Sequence, residues 1–425
     1  MAKKYQHESD FPDFYRERDI SIIADLITNN ESFELVGMKR VGIASLLKFL
    51  LEKKSIQTRL KNTRIIVGID LNDLVELELL AFWRLTLKRI LDRLEDHEDK
   101  SLKEYAQNLF TSTIQIDESF MTYESVRTLL RKITETGIYL TLIYIRFDRI
   151  SALFNLSFQN NLAALIDATQ GRLNFVLTGH RRLSLLSPET YTATDFLPFL
   201  KVHYIKPADA VSTQIQLNAL QNKITTRLSK SDEKMITELC SGHSTYLQLL
   251  HIYCSEKRSR DFQMILKDER IQLQSEELLM HLNTNEKEVI KKLIKNQQVS
   301  ENEFSTATYL WDTGILDNHN KIFSRLFEGY VKKIFLHSKP TNQQMFTKKE
   351  NLLYTYLERK SQQVCTREEL IRFVWPEYEH FGVSDWTIDR LVSRLRKKMQ
   401  NLKPGSKLET IKTRGFRLLH ENDNH

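Results

Sequence analysis

Apolar positions in the first half of the chain fall in continuous short runs: FELVG (33–37), RIIVGID (64–70), IYLTLIYIRFD (138–148) and NFVLTG (174–179). Between them lie stretches of helical spacing: Ile20 to Thr28, Ser45 to Lys53 with Leu46, Leu47, Leu50 and Leu51 on one side, about Asp73 to Leu109, and Tyr123 to Thr136. Unbroken apolar runs suit strands buried on both faces, and parallel strands need helical crossovers between them. The pattern predicts a doubly wound α/β domain over residues 1–205, ending with KVHYIKP (201–207).

After that segment the strands stop. Residues 206–280 read as helices, including ITELCSGHSTYLQLLHIYC. Residues 281–336 form a small unit whose second half, YLWDTGILDNHNKIFSRLFEGYVKKIF, predicts a helix, a tight turn, a short hairpin and a helix. The polar HSKPTNQQM (337–345) reads as a linker, and 346–420 as a last separate unit.

Composition agrees with a folded multidomain chain. The 425 residues are 41% hydrophobic and 28% charged, and at roughly 100–200 residues per domain the length predicts two to four units. MAKKYQHESD is followed by no apolar signal-like run, and no stretch approaches the ~18 apolar residues of a spanning helix. A cytoplasmic protein with no membrane association is expected. Cys240, Cys254 and Cys365 stand without a CxxC pair, so buried free thiols are expected, with no metal.

The segment FELVGMKRVGIASLLKFL (33–50) has the outline of a phosphate-binding loop, a strand entering a glycine turn that opens a helix. A working loop reads GxxxxGK[ST], because the lysine reaches the β/γ oxygens and the hydroxyl ligates Mg²⁺. Here the aligned residues are Gly37, Gly42, Ile43 and Ala44. Isoleucine carries no charge and alanine ligates no metal. The loop is read as kept for its shape, or as a weak ATP/ADP site helped by Lys39 or Arg40, or as an unrelated turn.

Further residues follow in a recognisable order. LTLIYIRFD ends in Asp148, followed by Arg149, and NFVLTG contains Thr178; YRERD (15–19) precedes them and SGHSTYLQLL (241–250) follows. Over about 12–275 this order resembles the AAA-like and STAND signal-transduction ATPases. The resemblance implies a P-loop NTPase-like parallel sheet, a helical lid at 206–280, a Mg²⁺-linked acid at Asp148 and a polar sensor at Thr178. Arg149 would stand where the water-activating acid belongs, so with Ile43 and Ala44 a non-enzymatic module without a catalytic residue is expected. In such families a winged helix follows the lid, and GILDNHNKIFSRLFEGYV (314–331) resembles its ending.

Net charge is +7, and its distribution is uneven. Between Trp386 and Leu419 ten Lys or Arg stand against two acids, so a polyanion partner should meet the C-terminus. FTKKENLLYTYLERK predicts a helix with Leu352, Leu353, Tyr356 and Leu357 inward. In VCTREELIRFVW, Thr366 and Glu369 form a capping-box signature. In SDWTIDRLVSRLRKKMQ, Ile388, Val392, Leu395 and Met399 share one side, while Thr387, Arg390, Arg394, Lys397 and Lys398 share another. KLETIKTRGFRLL adds Lys412, Arg414 and Arg417 around a bend at Gly415.

These segments resemble the OmpR/PhoB-type winged helix, through TREELIRFVW (366–375), TIDRLVSRLRKKM (387–399) and LETIKTRGFRL (408–418). The resemblance implies that Thr387, Arg390, Arg394 and Lys398 face bases and phosphates, that Lys412 and Arg414 sit on the wing, and that PEYEHFGVS (376–384) can contact RNA polymerase. Leu391 replaces a frequent polar residue, implying a distinct base preference. The expected architecture is thus an α/β P-loop NTPase-like domain with a helical lid, then two small winged-helix (α+β) domains. The leading reading is a sequence-specific regulator binding double-stranded DNA as a homo-oligomer. A nucleotide-switched ATPase acting on DNA in replication, transposition or defence, and a protein-interaction platform, are the alternatives.

Overall fold

A computed structural model describes residues 10–60, 64–95, 97–186, 200–223, 228–256, 259–336, 346–376, 385–403, 405–411 and 414–420. The predicted linker 337–345, most of the 376–384 loop and Lys412 lie outside the described residues. Contacts divide the chain into two compact units. One comprises Met1–Arg227, Ser241–Thr245 and Tyr309–His319; the other comprises Leu228–Cys240, Tyr246–Thr308 and Asn320–His425.

In the first unit five strands form a sheet: β1 (Phe33–Gly37), β2 (Arg64–Asp70), β3 (Tyr139–Ile145), β4 (Leu173–Gly179) and β5 (Lys201–Ile205), in the order β2-β3-β4-β1-β5. Every adjacent pair is parallel, with Val36 opposite Gly179 on one side of β1 and Gly37 opposite Ile205 on the other. All five residues of β1 are buried, which explains its unbroken apolar reading. This is a P-loop-type α/β sheet, with the glycine loop leaving the carboxyl end of a central strand. Ligands of open α/β sheets bind at that end.

Packing against the sheet fixes the loop's frame. The helix Leu79–Leu94 buries Phe82, Trp83, Leu87, Ile90 and Leu91 along one stripe. Phe82 stacks on Tyr144 of β3, with ring centroids 5.1 Å apart. The Tyr144 hydroxyl is fully buried and lies 3.2 Å from Thr86 Oγ1, so its polar end is satisfied.

Two sequence expectations change here. The helical stretch from Asp73 to Leu109 resolves into Leu79–Leu94 and Lys100–Thr113, because Asp99 caps a new helix by accepting from the Leu102 amide at 3.0 Å. The run through Asp148 stops as a strand at Ile145: Arg146 takes φ 63°, and a 3₁₀ segment, Phe147–Leu153, follows. Asp148 therefore does not end β3; it sits three residues beyond, in the 3₁₀ segment.

The second unit holds the helices Glu269–Met280, Thr284–Ile294, Glu301–Thr306 and Arg325–Leu336. In place of the short hairpin expected within 281–336, Leu316 and Ile322 are isolated bridge positions. Arms of about two residues around the DNHN turn are too short for a ladder.

The same unit contains the C-terminal winged helix: helices Lys348–Arg359, Arg367–Val374 and Asp385–Leu402, then antiparallel β6 (Ser406–Ile411) and β7 (Gly415–His420). Thr347 with Glu350, and Thr366 with Glu369, complete capping boxes on the first two helices. Gly415 has φ 141°, and a side chain there would collide with the Cys365 carbonyl, which pairs with the Phe416 amide at 3.0 Å. Ile388, Val392, Leu395 and Met399 are all buried, and so is Leu391. Leu391 thus belongs to the core and does not face a base. On the first helix the fully buried apolar residues are Leu353 and Leu357, with Tyr354 at the margin; Leu352 and Tyr356 are half-buried. All three cysteines are buried and free.

Candidate nucleic-acid interface and phosphate loop

The loop after β1 is tightly built. Gly37 has no room for a side chain, since a Cβ would lie 2.9 Å from the Ile205 carbonyl oxygen and 3.2 Å from Ile43 Cδ1. Gly42 takes φ 111° and precedes the helix Ile43–Glu52, and a Cβ there would collide with Ser244 Oγ. Met38 and Val41 point inward, whereas Lys39 and Arg40 are half-buried. Three consecutive side chains hold the loop's carbonyls: His243 Nε2 donates to Lys39 at 2.9 Å, Ser244 Oγ to Val41 at 3.1 Å and Thr245 Oγ1 to Arg40 at 3.5 Å. His243 is fully buried, and burial drives its pKa down to about 4, so a neutral imidazole does this work.

Lys39 turns to Asp148, with Nζ 3.4 Å from Oδ2. The same carboxylate accepts from His180 Nδ1, just beyond β4. Burial pushes Asp148 upward, but its interactions with His180 and Lys39 outweigh it and bring the group to about 2. Burial lowers the His180 pKa, against the opposing pull of Asp148. Thr178 is buried, and its Oγ1 accepts from the Arg146 amide at 2.8 Å. Arg149 reaches away to Asn72 Oδ1 at 2.8 Å. At the end of β3 stands Arg146, paired with Asp70 of β2 through Nε at 3.1 Å.

Of the expected nucleotide residues, Gly37, Lys39, Arg40 and Gly42 lie on one loop and Asp148 joins them through Lys39. Sequence reasoning missed His180 and His243. The signal was present for both, His180 directly after the TG that ends β4 and His243 inside SGHST.

On the C-terminal domain the cations of the Asp385–Leu402 helix divide into two sets. Arg390, Arg394 and Lys398 are largely covered, their side chains exposed by only 26%, 25% and 17%. Arg390 Nε lies 2.7 Å from Glu276 Oε1, and Arg394 lies between Glu276 and Glu350, with Nε 3.4 Å from Glu350 Oε1. Lys398 Nζ donates to Glu350 Oε2 at 2.6 Å. Glu350 has 0% exposure, and its Oε2 also accepts from the Thr347 amide at 2.7 Å, so one carboxylate serves the capping box and the third helix. Lys397 on this helix and Arg414 on the wing are exposed, while Thr387 is half-buried. Arg417 pairs with Glu409 at 3.1 Å, and Arg396 braces the hairpin by donating to the Leu408 carbonyl at 2.8 Å.

Residues 342–418 match the family model described as transcriptional regulatory protein, C terminal. That match covers the three helices and the wing, and identifies the C-terminal unit as a DNA-binding domain of the OmpR/PhoB type. Among solved structures, the Walker-type ATPase paby2304 of Pyrococcus abyssi is 15% identical, covering 78% of this chain and 100% of its own, with a TM-score of 0.48. The Aeropyrum pernix ORC2 protein is 11% identical over 76% of this chain and 94% of its own, with a TM-score of 0.41. The Aeropyrum pernix ORC1 protein in complex with DNA is 10% identical over 99% of this chain and 94% of its own, with a TM-score of 0.39. Comparison with curated proteins gives no match. Among the described residues no helix is long and apolar enough to cross a membrane, and no His, Cys, Asp or Glu cluster could hold a metal ion.

Proposed function

We propose that this chain is a sequence-specific transcriptional regulator of double-stranded DNA whose P-loop-type module serves as a non-catalytic sensor or oligomerisation platform. The observation that carries the reading is the C-terminal winged helix, whose third helix and wing concentrate Arg and Lys within the segment that matches transcriptional regulators. Phosphate contacts from such residues supply affinity, and a few third-helix side chains supply base choice in the major groove. Thr387, Arg390, Arg394, Lys397 and Lys398 are the helix candidates, with Arg414, Arg417 and Lys412 as wing candidates.

The residues of the phosphate loop do not fit a Mg²⁺–triphosphate. Ile43 and Ala44 stand where the lysine and hydroxyl are needed, Ile43 Cδ1 leans toward Gly37, and Lys39 is engaged by Asp148. No catalytic step is therefore assigned to the loop. In this reading the clamp by His243, Ser244 and Thr245 holds a rigid frame that needs no bound nucleotide. RNA polymerase contact through 376–384 and homo-oligomer formation on repeated sites extend the same proposal, as does a cytoplasmic location.

The test is selection of duplexes from a random-sequence pool by the full chain, followed by sequencing. Enrichment of one motif supports a regulator; retention of duplex without a motif points to a general DNA-binding protein; no retention removes the reading.

A further inference from the structure

The helix Glu269–Met280 carries Glu269, Leu273 and Glu276 at spacings of four and three, which places them on one stripe. All three meet the C-terminal domain. Glu269 Oε1 accepts from Thr347 Oγ1 at 2.7 Å, Leu273 is 2% exposed within the same buried cluster as Leu391 and Leu395, and Glu276 receives the two arginines. Arg390 approaches one carboxylate oxygen of Glu276, at 2.7 Å from Nε, and Arg394 lies 3.9 Å from the other. Two guanidinium groups one helical turn apart thus share one anion, as they would share a backbone phosphate. Tyr330 is half-buried nearby, its pKa raised by burial and then by Glu276.

We propose that the Glu269–Met280 helix is an internal competitor for DNA, with Glu276 in the place of a duplex phosphate, so that tight binding requires this helix to be displaced. The inference rests on the DNA-binding reading above. The ion pairs alone make a weak lock, since partly exposed pairs contribute little. The seating of Leu273 supplies the rest. Such a contact lowers duplex affinity while leaving Lys397 and Arg414 exposed for a first encounter.

The experiment compares full-length wild type with Glu276→Ala and Glu276→Gln for binding a 30-base-pair duplex, and follows amide exchange of residues 269–280 in wild type with and without that duplex. Affinity rising on the order of tenfold in both variants, with faster exchange of 269–280 when wild type binds, supports the competitor. Equal or weaker binding by the variants, or unchanged exchange while wild type holds duplex, overturns it and leaves the DNA-binding reading intact. If neither wild type nor variants hold duplex at low salt, the DNA-binding reading falls and the competitor with it. Should the variants misfold, wild-type exchange still decides.

Discussion

His243 and Lys39 are joined by a hydrogen bond of 2.9 Å from the imidazole Nε2 to the backbone oxygen, 204 residues apart in sequence. A carbonyl only accepts, so this nitrogen must carry the proton. Replacing His243 with Ala leaves the Lys39 oxygen buried without this donor, a loss of about 1–3 kcal/mol. The thermal midpoint should fall by several degrees, and His243→Asn should recover part of it. An unchanged midpoint in His243→Ala would remove the clamp from the account.

Acid stability follows from two buried histidines. Burial lowers both His243 and His251 from 6.5 to about 4, and neither ring nitrogen of His251 has a hydrogen-bond partner among the described residues. As pH falls from about 6.5 toward 4, the unfolded chain binds these protons and the folded chain does not, so stability is lost across that window. His251→Leu should flatten the loss and raise stability at pH 7, by about 1–3 kcal/mol if the orphaned ring is well tolerated by an apolar replacement. Denaturant titrations at pH 4.5 and 7 check both.

Glu34 behaves in the opposite sense. Burial raises its pKa from 4.5 to about 7, against the Leu183 amide that donates to it at 2.7 Å. The folded chain holds the proton that the unfolded chain has released, so this contribution is present below about 4.5 and disappears as pH rises through about 7. Glu34→Gln should stabilise the protein at pH 8 by about 1–3 kcal/mol and change little at pH 4. Calorimetry at the two values reads the difference.

Glu350 joins the capping box to Lys398 and Arg394 from a fully buried position. Glu350→Ala removes the cap and leaves both cations without this partner, a cost on the order of 3 kcal/mol. Local loss of structure in the C-terminal domain should appear as fast amide exchange across 348–402, while the five-stranded sheet keeps its protection.

Much of this architecture was legible in the sequence, and the failures have physical causes. β1, β3 and β4 read as unbroken apolar runs because they are buried along almost their whole length, and the capping box at Thr366 and Glu369 is a local pattern. Asp148 was misplaced because periodicity does not register the positive φ of Arg146 that ends β3. Helical spacing put Arg390, Arg394 and Lys398 on one side correctly, yet could not reveal that Glu276 and Glu350 occupy that side. Those carboxylates come from other helices, and Glu276 lies 114 residues from Arg390.

On the proposed function, the duplex is held through the exposed cations of the third helix and wing. The most direct measurement is the full chain's affinity for its selected duplex across salt concentrations, wild type against Lys397→Ala and Arg414→Ala. Weaker binding is expected in each variant, with the slope of log affinity against log salt reduced by about 1 per lost phosphate contact. Variants matching wild type in affinity and slope would contradict it.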